Sequence, residues 1–269
     1  MTFQELGVNP QILKAIEEMG FEKPMPVQEA VIPKLLDNGG DANHDLIALA
    51  QTGTGKTAAF GIPLLQRIKV QQRSTQALVL APTRELCLQI ADDIRDFGKF
   101  MTEINICAVY GGTSLEPQIR QLKKGAQIVV ATPGRLIDLM ERKCADLTDV
   151  KTVVLDEADE MLNMGFSESI DTILGSIREQ KDKAAEMPDE DNIGIRLLLF
   201  SATMSREIER IAKSYLSDYQ EIVVGSRNEG AEHVNHIYYM VNAKDKYLAL
   251  KRIVDYNTKL YAIVFCRTK

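Results

Sequence analysis

Leu46–Thr57 reads LIALAQTGTGKT, and this stretch decides the fold. An apolar run ends at Ala50, a turn with two glycines follows, and Lys56-Thr57 opens a helical pattern that runs to Lys69. A strand, a Gly-rich turn and a helix in direct succession form the setting in which G-K-T has chemical meaning. Gly53 and Gly55 permit torsions that other residues resist. With them, the N–H groups of Gln51, Thr52, Gly53, Thr54 and Gly55 can curl around phosphate oxygens at a helix N-terminus, where the dipole favours anions. The Lys56 ammonium can lie between two terminal phosphates of a nucleotide, and the Thr57 hydroxyl can ligate magnesium. Ala50 stands where the general phosphate-loop pattern has glycine.

The same rhythm repeats outward from this point. Further apolar runs lie at 77–81, 104–110, 127–131, 152–156, 196–200 and 221–224, with little polar alternation. Strands buried on both faces read this way, so the sheet is expected to be mostly parallel. Helical patterns fall between them at 84–97, 117–124, 133–141, 167–178 and 205–215, and two more precede the first strand at 10–19 and 27–36. The alternation predicts an α/β sheet with helices on both faces. Residues 37–45 read as a polar turn, and 179–194, with six acids and two lysines, as a solvated loop. After a linker near 225–232 the character changes. A strand at 234–241, a helix at 244–256 and a strand at 260–266 read as the opening of a second domain, so the division expected is 1–225 and 226–269.

Composition narrows the function classes. The chain has 269 residues, 45% hydrophobic and 26% charged, which suffices for a large core without staples. No apolar run approaches the ~20 residues of a membrane span, and the first residues lack a signal core. Cys87, Cys107, Cys144 and Cys266 are scattered with no C-x-x-C pair, which points to a reducing, cytoplasmic setting. His233-x-x-His236 lies in an extended segment without a neighbouring cysteine and is not expected to hold metal. The net charge is −6, and the basic excess sits after residue 225. An acidic body argues against a broad basic nucleic-acid face.

Val153–Glu157, VVLDE, puts two carboxylates at the end of another apolar strand. Ligands of parallel sheets lie beyond the carboxyl ends of strands. Asp156 is therefore expected to face the same nucleotide as Lys56 and to hold magnesium, and Glu157 to orient and deprotonate an attacking water. A guanine-reading N-K-x-D is absent, since no Asn precedes a Lys.

Together these segments resemble the DEAD-box RNA helicases, named for the sequence at Asp156-Glu157-Ala158-Asp159. Gly20–Gln28 is similar to that family's adenine-reading Q motif, with Phe3 as the outlying aromatic, Phe21 for stacking, and Gln28 for pairing with adenine. Met25 replaces the family's usual Ser or Thr. Pro82-Thr83-Arg84, Gly111-Gly112 and Thr132-Pro133-Gly134-Arg135 match the family's contacts to the RNA backbone. Two of the three follow strands and open helices, where free N–H groups meet phosphates without needing a basic face. Ser201-Ala202-Thr203 resembles the motif that couples hydrolysis to strand separation, its hydroxyls within reach of Asp159. Residues 263–268 resemble the first motif of the family's second domain. The resemblance implies a RecA-like P-loop NTPase fold, ATP and ADP as ligands with magnesium, RNA as partner, and a second RecA-like domain closing the cleft. It implies weak, slow ATP turnover by these 269 residues alone, because the segment that supplies arginine fingers is not among them. A DNA translocase shares the phosphate loop, but Gln28 and the segments at 82 and 132 favour RNA. A one-domain nucleotide-binding or RNA-clamping module is the non-enzymatic alternative. Oligomeric state is not legible.

Overall fold

A computed structural model describes residues 1–36, 44–185, 195–225, 235, 237–257 and 259–266, with side chains of 180–185 excepted. The readings at 37–43, 186–194, 226–234 and His236, and the end of the 263–268 motif, lie outside the described residues.

Contacts divide the chain into two compact units, Met1–Asn228 and Glu229–Lys269. The first is built on seven parallel strands: β1 (Leu46–Leu49), β2 (Ala77–Leu80), β3 (Ile106–Val109), β4 (Ile128–Ala131), β5 (Thr152–Leu155), β6 (Arg196–Ser201) and β7 (Gln220–Val223). Their order across the sheet is β3-β4-β2-β5-β6-β1-β7. Every residue of β1, β2, β3, β4 and β6 is buried, which is why these strands lack polar alternation.

Successive side chains of a strand point to opposite faces, and the core divides accordingly. Ala48, Val79, Val130, Val154 and Leu198 face a cluster completed by α1 (Pro10–Glu18), α2 (Pro26–Leu36), α3 (Lys56–Arg67) and α4 (Arg84–Phe97). Ile47, Leu78, Val129, Val153 and Leu197 face a second cluster. It is completed by α5 (Glu116–Lys123), α6 (Pro133–Glu141), α7 (Ala158–Asn163), α8 (Ser167–Ala185) and α9 (Arg206–Tyr215). Helix starts follow local chemistry. Asn9, Thr83 and Ser205 each accept a hydrogen bond from the N–H three residues on, capping α1, α4 and α9.

Three departures from the sequence reading stand out. Helix α7 fills 158–163, where the sequence pattern assigned no element. Helix α8 continues to Ala185 through residues read as loop, because Glu, Gln, Lys and Ala favour helix. In the second unit a turn of 3₁₀ helix (Ala243–Asp245) leads into α10 (Lys246–Tyr256), but the described residues of 234–241 and 260–266 form no strand. An apolar extended segment becomes a strand only with a neighbour to pair with.

Candidate nucleotide and nucleic-acid site

All seven strands point the same way, so one rim of the sheet gathers the segment after each strand. The strand order sorts them. Segments after β1, β5 and β6 carry the candidate phosphate, carboxylate and coupling residues. Those after β2, β4 and β3 carry the three candidate nucleic-acid segments. The two groups meet where β2 pairs with β5. The first crossover carries the chain from β1 past β6 and β5 to β2, so the rim includes a topological switch point, the usual ligand position in such sheets.

At the nucleotide end, Gly53 and Gly55 adopt φ of 80° and 88°, and Gly55 caps α3. Lys56 is buried and its Nζ donates to the Ala50 carbonyl at 3.0 Å. Thr54 Oγ1 donates to the Gln51 carbonyl at 2.7 Å. A cleft of about 460 Å³ is lined by Phe21, Gln28, Thr52, Gly53, Gly55, Lys56, Thr57, Asp156 and Glu157. Ala50, Gln51 and Thr54 shape the loop without lining this cleft. Phe3 also stays out of it. At 5% exposure, Phe3 packs behind Phe21 with ring centroids 6.2 Å apart and serves as that ring's support.

Gln28 is 1% exposed, accepting the Met25 N–H at 2.8 Å and donating to the Gly55 carbonyl at 3.1 Å. It ties the phosphate loop to α2 and uses one hydrogen and one lone pair of its amide in doing so. Residues on α4 that the sequence did not flag, Leu86, Gln89, Asp93 and Phe97, line the same cleft. Their spacing of three and four is a helical stripe, legible in principle but indistinguishable from core periodicity.

Asp156 is fully buried at the end of β5. Burial is the main cause that raises its carboxyl to about 6, with Glu157 and Asp159 adding to the effect while Lys56 opposes it. Its Oδ1 accepts the Glu157 N–H at 3.1 Å. Glu157 sits in the left-handed region at φ 49°, which is unusual for a non-glycine residue and typical of functional positions. Thr52 Oγ1, within the phosphate loop, lies 3.4 Å from Glu157 Oε1. Thr57 oxygen and Asp156 carboxylate line one cleft, a donor set of the hard-oxygen type that suits magnesium carried on a triphosphate.

Asp159 Oδ2 accepts both the Thr203 hydroxyl, at 2.9 Å, and the Thr203 N–H, at 3.1 Å. Ser201 was expected to share this carboxylate. Its hydroxyl donates instead to the Thr203 carbonyl at 2.7 Å, because Ser201 is the last, fully buried residue of β6 and points along the turn.

On the other half of the rim, Pro82 is buried and Thr83 caps α4 through its hydroxyl. The Arg84 guanidinium lies 5.2 Å from the Tyr110 ring centre. Gly112 has φ 79°. Thr132 and Pro133 open α6, with Gly134 exposed in its first turn and Arg135 Nη2 donating to the Thr113 carbonyl at 3.1 Å. Arg84 and Arg135 thus both reach the turn after β3.

Comparison with known proteins fits this geometry. The model of the DEAD/DEAH box helicase family matches residues 25–211. The chain is 42% identical over 268 residues to the DEAD-box ATP-dependent RNA helicase CshA of Geobacillus kaustophilus, covering 100% of this chain and 53% of that one. It is equally similar to the Streptococcus pneumoniae CshA, of which it covers 48%. The chain thus spans about half the length of the curated relatives it matches. Among solved structures it resembles a DEAD box protein of Methanococcus jannaschii, with TM-score 0.72, 40% identity, and coverage of 100% of this chain and 67% of that one. It also resembles Saccharomyces cerevisiae Dbp5 bound to RNA and ADP BeF3, with TM-score 0.66, 35% identity and coverage of 83% and 52%. The fold is therefore RecA-like, and the chain belongs to the DEAD/DEAH box helicase family.

Proposed function

We propose that this chain, residues 1–225 above all, is the ATP-binding and RNA-facing wall of an ATP-dependent RNA helicase. The observation that carries the proposal is the shared rim: phosphate loop and paired carboxylates on one half, three backbone-reading segments on the other, joined at the β2–β5 pair. Phe21 stacks on adenine and Gln28 reads its edge with the donor and acceptor it has left. N–H groups of Gly53 and Gly55 with the Lys56 ammonium hold the phosphates. Thr57 and Asp156 would hold magnesium, which neutralises phosphate charge when bound. Glu157 Oε1 takes the proton of the attacking water. Asp159 and Thr203 link the carboxylate strand to β6, so a change at the nucleotide moves both elements together.

Arg84, the Gly111-Gly112 turn and the first turn of α6 contact RNA phosphates through N–H groups and a guanidinium, which suits an acidic body. The Dbp5 neighbour with RNA and an ATP-like ligand supports the pairing of partners. Residues 226–269 belong to a second RecA-like domain that closes on this wall, and the protein works in the cytoplasm. No helix among the described residues is long and apolar enough to cross a membrane.

ATP hydrolysis with and without single-stranded RNA tests the reading, on this chain and on the intact protein. Wild-type intact protein should respond to RNA, and Lys56→Ala and Glu157→Gln should not hydrolyse ATP. DNA competing as well as RNA would favour the translocase alternative. Equal activity in all variants would refute the assignment.

A further inference from the structure

The turn after β3 is held by a side chain that none of the roles above uses. Gln118, on α5, is 6% exposed. Its Oε1 accepts the Tyr110 N–H at 3.2 Å. Its Nε2 donates to the Tyr110 carbonyl at 3.1 Å, to Thr113 Oγ1 at 3.1 Å and to the Ser114 carbonyl at 3.3 Å. Two hydrogens serve three acceptors, so the amide is wholly committed to the turn 110–114.

That turn contains Gly111 and Gly112, the residues with most backbone freedom to lose. Neither glycine N–H has a protein acceptor among the described residues. From the β4 side, Arg135 Nη2 fixes the Thr113 carbonyl at 3.1 Å. From the β2 side, Arg84 lies over Tyr110, and its Nη1 is 3.7 Å from where a Cβ on Gly112 would stand. A glycine pair held at both ends leaves two unspent N–H donors beside an arginine, the donor chemistry that suits an anion. Left unheld, the same turn would have to be ordered by the ligand, at a cost in affinity.

We propose that Gln118 is a positioning residue for RNA. It holds the Tyr110–Ser114 turn so that the Gly111 and Gly112 N–H groups face a backbone phosphate before RNA arrives. The inference rests on the RNA reading of this half of the rim.

The test is anisotropy of a fluorescein-labelled oligouridylate on the intact protein with a non-hydrolysable ATP analogue, alongside nucleotide affinity of each variant. Gln118→Ala should weaken RNA about tenfold or more and leave nucleotide affinity within about twofold. Gln118→Glu supplies a signature that mere packing would not. A neutral carboxyl can accept from the Tyr110 N–H and donate to the Tyr110 carbonyl, whereas an ionised one faces carbonyl oxygens. Its RNA affinity relative to wild type should therefore rise as pH falls from 8 to 5.5. A Gln118→Ala variant that binds RNA like wild type overturns the proposal. So does a Gln118→Glu ratio flat with pH, or joint loss of RNA and nucleotide binding in both variants. If Arg84→Ala weakens RNA while Gln118→Ala does not, this inference fails alone. If wild type binds no RNA, the RNA reading itself fails.

Discussion

Asp156→Asn should stabilise the protein while abolishing the ATP hydrolysis proposed above. Asp156 is enclosed at the end of β5, and burial raises its carboxyl from 3.8 to about 6. Holding that carboxylate ionised in the folded state costs about 3 kcal/mol, at ~1.4 kcal/mol per pH unit. Below about pH 4 both folded and unfolded chains keep the proton, and the contribution to stability is fully present. It is lost as pH rises through about 6, where the folded carboxyl must ionise against its burial. Asparagine has the same shape and no charge, so the variant escapes this loss. The attraction of Lys56 is already contained in that shift, so after structural relaxation the net gain is about 1–3 kcal/mol. For a chain of this size that is a rise in Tm of about 3–9 °C at pH 8. The assay is thermal unfolding of wild type and variant from pH 4 to 8, without nucleotide. The variant's advantage should be near zero at pH 4 and level off above about pH 7. An advantage that does not grow with pH, or a variant less stable at pH 8, would mean that Asp156 is not ionised against its burial.

Three other outcomes follow from the geometry. Gly55→Ala should cost stability by about 1–3 kcal/mol and sharply weaken ATP binding, because its Cβ would lie 2.4 Å from Gln28 Nε2 at a positive φ. Gly53→Ala, with open space around it, should lose only the smaller torsional part, and calorimetry of the two variants checks the difference. Thr203→Val removes the 2.9 Å hydroxyl bond to Asp159 at an exposed site. It should lower stability by less than about 1 kcal/mol, yet reduce RNA stimulation of the ATPase with ATP affinity unchanged. Arg196→Met should destabilise by about 2–4 kcal/mol in urea unfolding, because buried Arg196 donates to the His44 carbonyl at 2.7 Å and the Lys34 carbonyl at 3.3 Å, closing the end of α2.

The parts legible in the sequence are those whose chemistry is local or periodic. Strands such as Ile128–Ala131 are apolar on both faces, and burial on both faces is what the sheet imposes. Lys56 and Asp156 carry their setting with them, a helix start and a strand end. Helix α7 was missed because six residues hold too little periodicity, and because its start is set by the left-handed Glu157. The overrun of α8 reflects a charged sequence whose helix propensity was read as solvation. The direction of the Ser201 hydroxyl depends on how one turn closes, which no spacing encodes. Buried glutamines escaped for a related reason. Gln118 pairs with the nearby turn at 110–114, and Gln127 with loop groups of Asn105, Val70 and Glu103. In sequence such a glutamine is an ordinary polar residue, and only packing shows which loop it holds.

Two ligands should occupy neighbouring halves of one rim, and photocross-linking reads that out. With 8-azido-ATP and 4-thiouridine RNA on the intact protein, nucleotide adducts should map to the segments around Phe21 and the phosphate loop, and RNA adducts to 82–84, 110–114 and 132–135. RNA adducts at the opposite ends of the strands, around Gly125 or Thr148, would contradict that arrangement.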